Sequence, residues 1–316
     1  MRRSSIALLV TVVLWAAAFP AIRVGLDGYG AAGLSLLRLV VASVALGIAA
    51  PLLGVRRPRR ADLALIALCG ATGMSAYQLL LNFGEVRVPA ATASLLVATA
   101  PVFSVVLAAV FISERPTWRK VAGSAVAVAG SAVIALAGGQ VGYSAAVGVV
   151  LAAAFVQGVY HLCTKPLLRR YTGVEVACYA MWTGMVFLLP LAPSAVHGVL
   201  TAPVSATLAV VFLGLLPSAL GFVVWGYAVA RNTVATATAA LYLVPVVALL
   251  VAYVWLREIP AWIELAGGLI SVLGVLLIRS PGSAADQRGD AQPGEDQRHH
   301  HRDPRQSPRD LVHRLR

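Results

Sequence analysis

So apolar a chain offers few side chains able to do chemistry, and the first is Arg38, a guanidinium about eight residues into a long apolar run. A charge at membrane depth costs about 2.5 to 3.5 kcal/mol on insertion scales, so something must offset it. Two arrangements would do so. The guanidinium holds a carboxylate or other anionic group of a bound solute, or it snorkels to the surface or pairs with a backbone carbonyl. Elsewhere Gln157, His161 and Lys165 recur every four residues and share one helical stripe. Tyr77, Gln78 and Asn82 give another apolar run a polar face. Polar groups at such depth need partners, which turns both faces toward protein rather than lipid. There they either touch a solute or bond across helices.

Trp15, Tyr160, Trp225, Tyr227 and Tyr242 are candidate aromatic walls for a cavity, or else packing and interfacial rings. Pro101 and Pro245 each interrupt an apolar run. A proline inside a helix removes one backbone hydrogen bond and clashes with the carbonyl four residues back. The freed acceptor can line a solute pathway, or neighbours can pack the kink as a purely structural feature.

Other chemistries leave no trace. The sequence holds neither a Gly-x-Ser-x-Gly elbow nor a His-Glu-x-x-His pair, the signatures an intramembrane enzyme would need. Cys69, Cys163 and Cys178 are odd in number, scattered and set within apolar runs, so they read as small buried hydrophobes rather than disulfides or metal ligands. No cofactor and no metal is expected. His299, His300 and His301 are adjacent in a polar segment that offers no fixed ligand geometry.

The elements that carry these residues follow from composition. With 59% hydrophobic and only 12% charged residues, the chain departs far from the roughly 45 to 50% apolar and 25% charged of soluble domains. A net charge of +12 could suggest a nucleic-acid binder. The basic groups instead cluster between apolar runs without aromatic interleaving, which excludes nucleic acid as a partner and leaves a bilayer and a small-molecule solute.

A membrane-spanning helix needs about 20 mostly apolar residues. Ten stretches qualify: 5 to 26, 31 to 53, 61 to 82, 89 to 111, 119 to 137, 145 to 165, 173 to 192, 204 to 226, 233 to 255 and 262 to 279. The fold class predicted is an all-α integral membrane protein. Arg2-Arg3 followed by an apolar run resembles a signal peptide, but the many later apolar runs make it an uncleaved first helix. Most connections are short, which makes successive helices antiparallel neighbours and leaves no room for a soluble catalytic or output domain. From Ser280 onward the composition turns to Arg, Asp, Gln, Pro and Gly, the signature of a disordered tail over 280 to 316.

Lys and Arg near helix ends favour the cytoplasmic side. With the N-terminus inside, fourteen basic residues fall on that side, among them Arg56, Arg57, Arg59, Arg60, Arg169 and Arg170, against Arg87 and Arg257 outside. Both termini are therefore expected in the cytoplasm.

Residues 87 to 130 match residues 231 to 274 without a gap, at a constant offset of 144. The match pairs Pro101 with Pro245, Glu114 with Glu258, Trp118 with Trp262, Gly123 with Gly267 and Gly130 with Gly274. These are helices four and five against nine and ten, so the period is five helices. Because five is odd, the two halves, 1 to 137 and 145 to 279, are inverted. Inverted repeats supply paired conformations for alternating access. Gly123-x-x-x-Ala127 and Gly267-x-x-x-Ser271 permit close helix approach within the chain.

The chain resembles an EamA-type member of the drug/metabolite transporter superfamily over nearly all of residues 5 to 279. The resemblance is carried by Trp15-Ala16-Ala17-Ala18-Phe19-Pro20, Leu37-Arg38-Leu39, the repeats ending in Glu114-Arg115-Pro116 and Glu258-Ile259-Pro260, and Gly221 to Ala228. It implies an inner-membrane carrier, commonly an exporter, of small metabolites or drugs, with a central cavity between the halves. It also implies an arginine at position 38 across varied substrates, which supports the structural reading of that residue. The alternatives to transport are an intramembrane enzyme and a non-transport binding or scaffold protein.

Asp27, Asp62, Glu85, Glu114, Glu175, Glu258 and Glu264 all fall near predicted helix ends, with Asp62 placed as a helix cap. No carboxylate is expected at mid-membrane. His161 could carry a proton, or simply bond to a neighbour. Facilitated diffusion or exchange is thus expected rather than proton drive.

Overall fold

The structure is a computed structural model and describes residues 2–111, 118–137, 141–229, 241 and 243–279. The Glu114-Arg115-Pro116 turn, Tyr242, residues 230–240 and the tail from Ser280, including His299, His300 and His301, lie outside the described residues.

The described chain is helical throughout: α1 (Arg2–Ala49), α2 (Leu63–Cys69), α3 (Tyr77–Glu85), α4 (Ala90–Val97), α5 (Ala100–Phe111), α6 (Trp118–Ala137) and α7 (Val141–Leu168), then α8 (Gly173–Leu188), α9 (Ala192–Thr201), α10 (Val204–Leu213), α11 (Gly221–Val229), α12 (Leu243–Leu256) and α13 (Trp262–Arg279). In a bilayer every backbone polar group must be satisfied within the segment, and helices do this locally. Five helical stretches are long and apolar enough to cross a membrane: Ser4–Ala49, Arg60–Glu85, Tyr143–Leu168, Gly173–Val196 and Val204–Ala228. Shorter apolar helices cover Ala90–Ser104, Val121–Ile134, Leu243–Leu256 and Trp262–Gly274.

The first stretch makes two crossings. Gly30 has φ 60° and ψ 176°, a backbone conformation essentially reserved to glycine, and it folds α1 into two limbs. A β-carbon at Gly25 would lie 2.7 Å from Leu34, whereas residues nine apart in a straight helix stand about 13 Å apart. Counting that helix twice gives ten apolar segments among the described residues, consistent with about ten crossings. Leu9, Ile48, Leu208, Leu250 and Leu273 remain exposed on the outside, as lipid-facing residues should. Small residues such as Ala16, Ala42, Ala91 and Ala153 fill the interior.

The internal repeat reaches further than the sequence match. Between α2 and α3, Gly70–Ala76 forms a π-helical segment, and Gly214–Leu220 between α10 and α11 forms another, again 144 positions on. Tyr77 N–H donates to the Thr72 carbonyl and Gly221 N–H to the Leu216 carbonyl, both five residues back. Each π-segment packs against a neighbouring helix. A β-carbon at Gly70 would meet Thr183 and Gly184 of α8, and one at Gly214 would meet Val41 of α1.

The paired small residues of α6 and α13 bring those helices into backbone contact. Ser271 Oγ donates to the Ala127 carbonyl at 3.0 Å.

Candidate functional site

Arg38 sits on the second limb of α1, only 3% exposed. Of its five N–H donors, Nη2 reaches Ser218 Oγ at 3.2 Å, while Nε and Nη1 have no partner among the described residues. The guanidinium has therefore neither snorkelled to a surface nor found a carbonyl. An unpaired buried donor costs about 1 to 3 kcal/mol, more when charged.

Facing the same region, α3 presents Gln78, Asn82 and Glu85, spaced four and three residues apart so that they share one stripe. All three are buried, and Gln78 Oε1, Asn82 Oδ1 and both Glu85 oxygens lack partners among the described residues. Asn82 Nδ2 donates to Ser35 Oγ at 2.8 Å, which holds the amide against α1. Tyr77, beside this stripe, packs against the apolar core. Arg38, Tyr77 and Glu85 lie near enough to feel one another electrostatically. From α7, Gln157 adds another unpaired oxygen, with its Nε2 3.5 Å from His161 Nε2. The side chain of Lys165, the third member of that stripe, lies outside the described residues.

The aromatic residues gather into a wall. Trp15 stands 5.2 Å from Phe222 and 5.4 Å from Trp225 between ring centroids, and Tyr160 meets Phe222 edge-on at 6.5 Å. His161 borders Tyr160. Trp15 Nε1 donates to the Pro217 carbonyl at 3.1 Å, one residue before the Ser218 that holds Arg38. The wall and Arg38 thus meet at the second π-segment. Gly73, in the first π-segment, leaves the room that the Tyr160 ring occupies.

Pro101 is the second residue of α5, just after the break between Val97 and Ala100. There Thr99 N–H and Oγ1 both turn back to the Leu96 carbonyl. Pro245 is buried and likewise falls in the first turn of α12. Both prolines begin helical segments rather than kinking them midway.

Ionic groups mark the two ends of the bundle. At the Arg60 end, Glu175 closes a capping box with Thr172 and receives Arg56 Nε at 2.7 Å, which holds the Arg56 guanidinium above its ordinary range. Asp62 occupies the N-cap position of α2, yet its side chain makes no cap bond. It receives Arg170 at 2.6 Å and the Tyr171 hydroxyl at 2.7 Å instead, because those donors reach it from the α7–α8 connection. At the opposite end Arg23 pairs with Glu258 at 3.4 Å, and Glu258 also accepts the Ala90 N–H.

The sequence places these carboxylates near helix ends, a position that does not reveal burial. Asp62, Glu85, Glu175 and Glu264 are all buried. Glu85, Ser218 and Phe222 join the site without having been singled out. Continuing the Gln78–Asn82 stripe by one turn would have reached Glu85.

Ten apolar segments around a buried, incompletely paired polar cluster define a multi-pass membrane carrier. The EamA-like transporter family model matches residues 2–136 and 144–280, and the chain belongs to that family. It is 71% identical to a probable terminal-alkyne amino-acid exporter of Streptantibioticus cattleyicolor, over 86% of this chain and 92% of that one. It is 36% identical to a transporter of Bacillus subtilis, over 87% and 92%. It is 25% identical to a probable amino-acid metabolite efflux pump of Escherichia coli, over 87% and 94%. A solved crystal structure shares the fold at a TM-score of 0.55 and 22% identity, covering 87% of this chain and 96% of that one. The protein is a multi-pass membrane transporter.

Proposed function

We propose that the exported solute is an amino acid with a small apolar side chain. The observation that carries this reading is Arg38, a buried guanidinium whose Nε and Nη1 have no partner among the described residues, and either of these can join the second N–H of Nη2 to grip a carboxylate with paired hydrogen bonds. The wall of Trp15, Tyr160, Phe222 and Trp225 suits an apolar side chain and the π-face of an alkyne. The relative's printed name, a terminal-alkyne amino-acid exporter, describes such a molecule. Gln78, Asn82 and Gln157 supply acceptors around the solute's polar end.

The protein sits in the cytoplasmic membrane with both termini inside, as the bias of Lys and Arg supports. Two inverted halves, 1 to 137 and 145 to 279, alternate about the cavity, and the segments begun by Pro101 and Pro245 flank the solute path. Arg56–Glu175 and Arg170–Asp62 hold the cytoplasmic end together, and Arg23–Glu258 holds the external end.

Untargeted metabolite profiling of cells and medium tests the reading, with the protein absent, overproduced or carrying Arg38→Gln. Free amino acids or close analogues should move from cell to medium only with the intact protein. Export confined to compounds without a carboxylate, or no reproducible change at verified membrane levels, would overturn it.

A further inference from the structure

Glu85 is a side chain the export reading leaves unused, and it is the least expected group in the bundle. Its carboxyl is fully buried, and neither oxygen has a hydrogen-bond partner among the described residues. Burying an unpaired carboxyl is costly, so a retained one points to a partner that is present only part of the time.

No neighbouring cation touches the carboxyl among the described residues. Arg23, on the first limb of α1, donates to the backbone carbonyls of Glu85 and Val86 and pairs with Glu258, not with the Glu85 carboxyl. Arg38 lies within electrostatic range but makes no ion pair with Glu85. Arg87, two residues on, is exposed and makes no ion pair with Glu85 among the described residues; α4 carries no ionisable residue, and α7 meets the adjacent Gly84 through Ala146 and Val150.

The repeat provides an independent comparison. In α11, which stands 144 positions after α3 residue for residue, Gln78, Asn82 and Glu85 correspond to Phe222, Gly226 and Val229. The second half keeps the π-segment and the helix with none of these polar groups. The stripe is therefore not required by the helix that bears it.

We infer that Glu85 is the ammonium-binding carboxylate of the solute cavity, so that Arg38 and Glu85 clasp the two ends of one zwitterion. The inference rests on the amino-acid reading above. Arg38 takes the solute carboxylate along one edge of its guanidinium, through the second N–H of Nη2 together with Nε or Nη1, and Glu85 takes the ammonium with both oxygens. Asn82, one turn along the stripe from Glu85, offers its amide oxygen to the remaining ammonium proton, and Gln78, two turns along, adds a further acceptor. A zwitterion set between a buried cation and a buried anion pairs both without adding net charge. A solute lacking either end leaves one of them unpaired, which is the strongest form of polar selectivity.

The test uses the full chain in proteoliposomes, with counterflow of labelled L-propargylglycine, a terminal-alkyne amino acid, and competition by its N-acetyl derivative. The wild type should prefer the free amine over the N-acetyl compound by about 10- to 100-fold, the ratio expected of a charge-assisted hydrogen bond. Glu85→Gln should lose that preference, while Glu85→Asp retains most of it. A merely structural role would lower flux without changing the ratio. Equal competition by the two compounds against the wild type overturns the inference without recourse to any variant, as does an unchanged preference in Glu85→Gln. Should the wild type carry no L-propargylglycine while carrying other solutes, the amino-acid reading fails first and the clasp falls with it.

Discussion

Replacing Arg38 by glutamine should lower export of L-propargylglycine from loaded cells by about 10- to 100-fold, with the protein still inserted at its normal level. The expected size follows from one hydrogen-bonded charge on the solute, about 1.5 to 3 kcal/mol. Arg38 makes a single hydrogen bond within the described protein, to Ser218, so folding loses little when the guanidinium goes. Glutamine even relieves the cost of an unpaired buried charge. Arg38→Lys should not restore export, because an ammonium on a flexible stem lacks the planar fork that fits a carboxylate. Medium and cell concentrations, measured beside membrane protein levels, check the result. Full export by Arg38→Gln would return Arg38 to a structural role.

Gly130→Leu should have the larger effect on stability. A β-carbon at Gly130 would lie 2.4 Å from Ser271 Oγ and 2.5 Å from both the Gly267 carbonyl oxygen and the Ser271 nitrogen. Two of those atoms are backbone and cannot rotate away, so α13 must move from α6. The loss should reach about 3 kcal/mol, the upper end of ordinary overpacking costs. Gly47→Leu is the matched control, because a β-carbon there meets nothing within 4 Å. Thermal unfolding in detergent should show a large fall in midpoint for the first variant and little change for the second.

Why some of this was legible in the sequence and some was not has physical causes. The crossings were readable because hydrocarbon thickness dictates runs of about 20 apolar residues, and the Asp27-Gly28-Tyr29-Gly30 break announced the fold-back of α1. The repeat was readable where shared residues do the same work, as Pro101 and Pro245 do in starting α5 and α12. It was unreadable between α3 and α11, where the shared feature is a backbone hydrogen-bond shift made by unlike residues, GATGMSA and GLLPSAL. Arg38 stood out because any charge in an apolar run is conspicuous. Glu85 did not, since a place near a helix end does not reveal burial. Its burial comes from how α1 and α7 close around α3, which no local pattern records. Asp62 illustrates the same limit: its cap position was visible, but the Arg170 and Tyr171 that claim its side chain lie more than a hundred residues away.

The measurement that bears most directly on the central claim is efflux of labelled L-propargylglycine from preloaded proteoliposomes containing only this chain. The account predicts release faster than from protein-free vesicles, saturable with internal concentration and inhibited by other small apolar amino acids. Release at the protein-free rate, from vesicles in which the protein is folded and transports another class of solute, would contradict it.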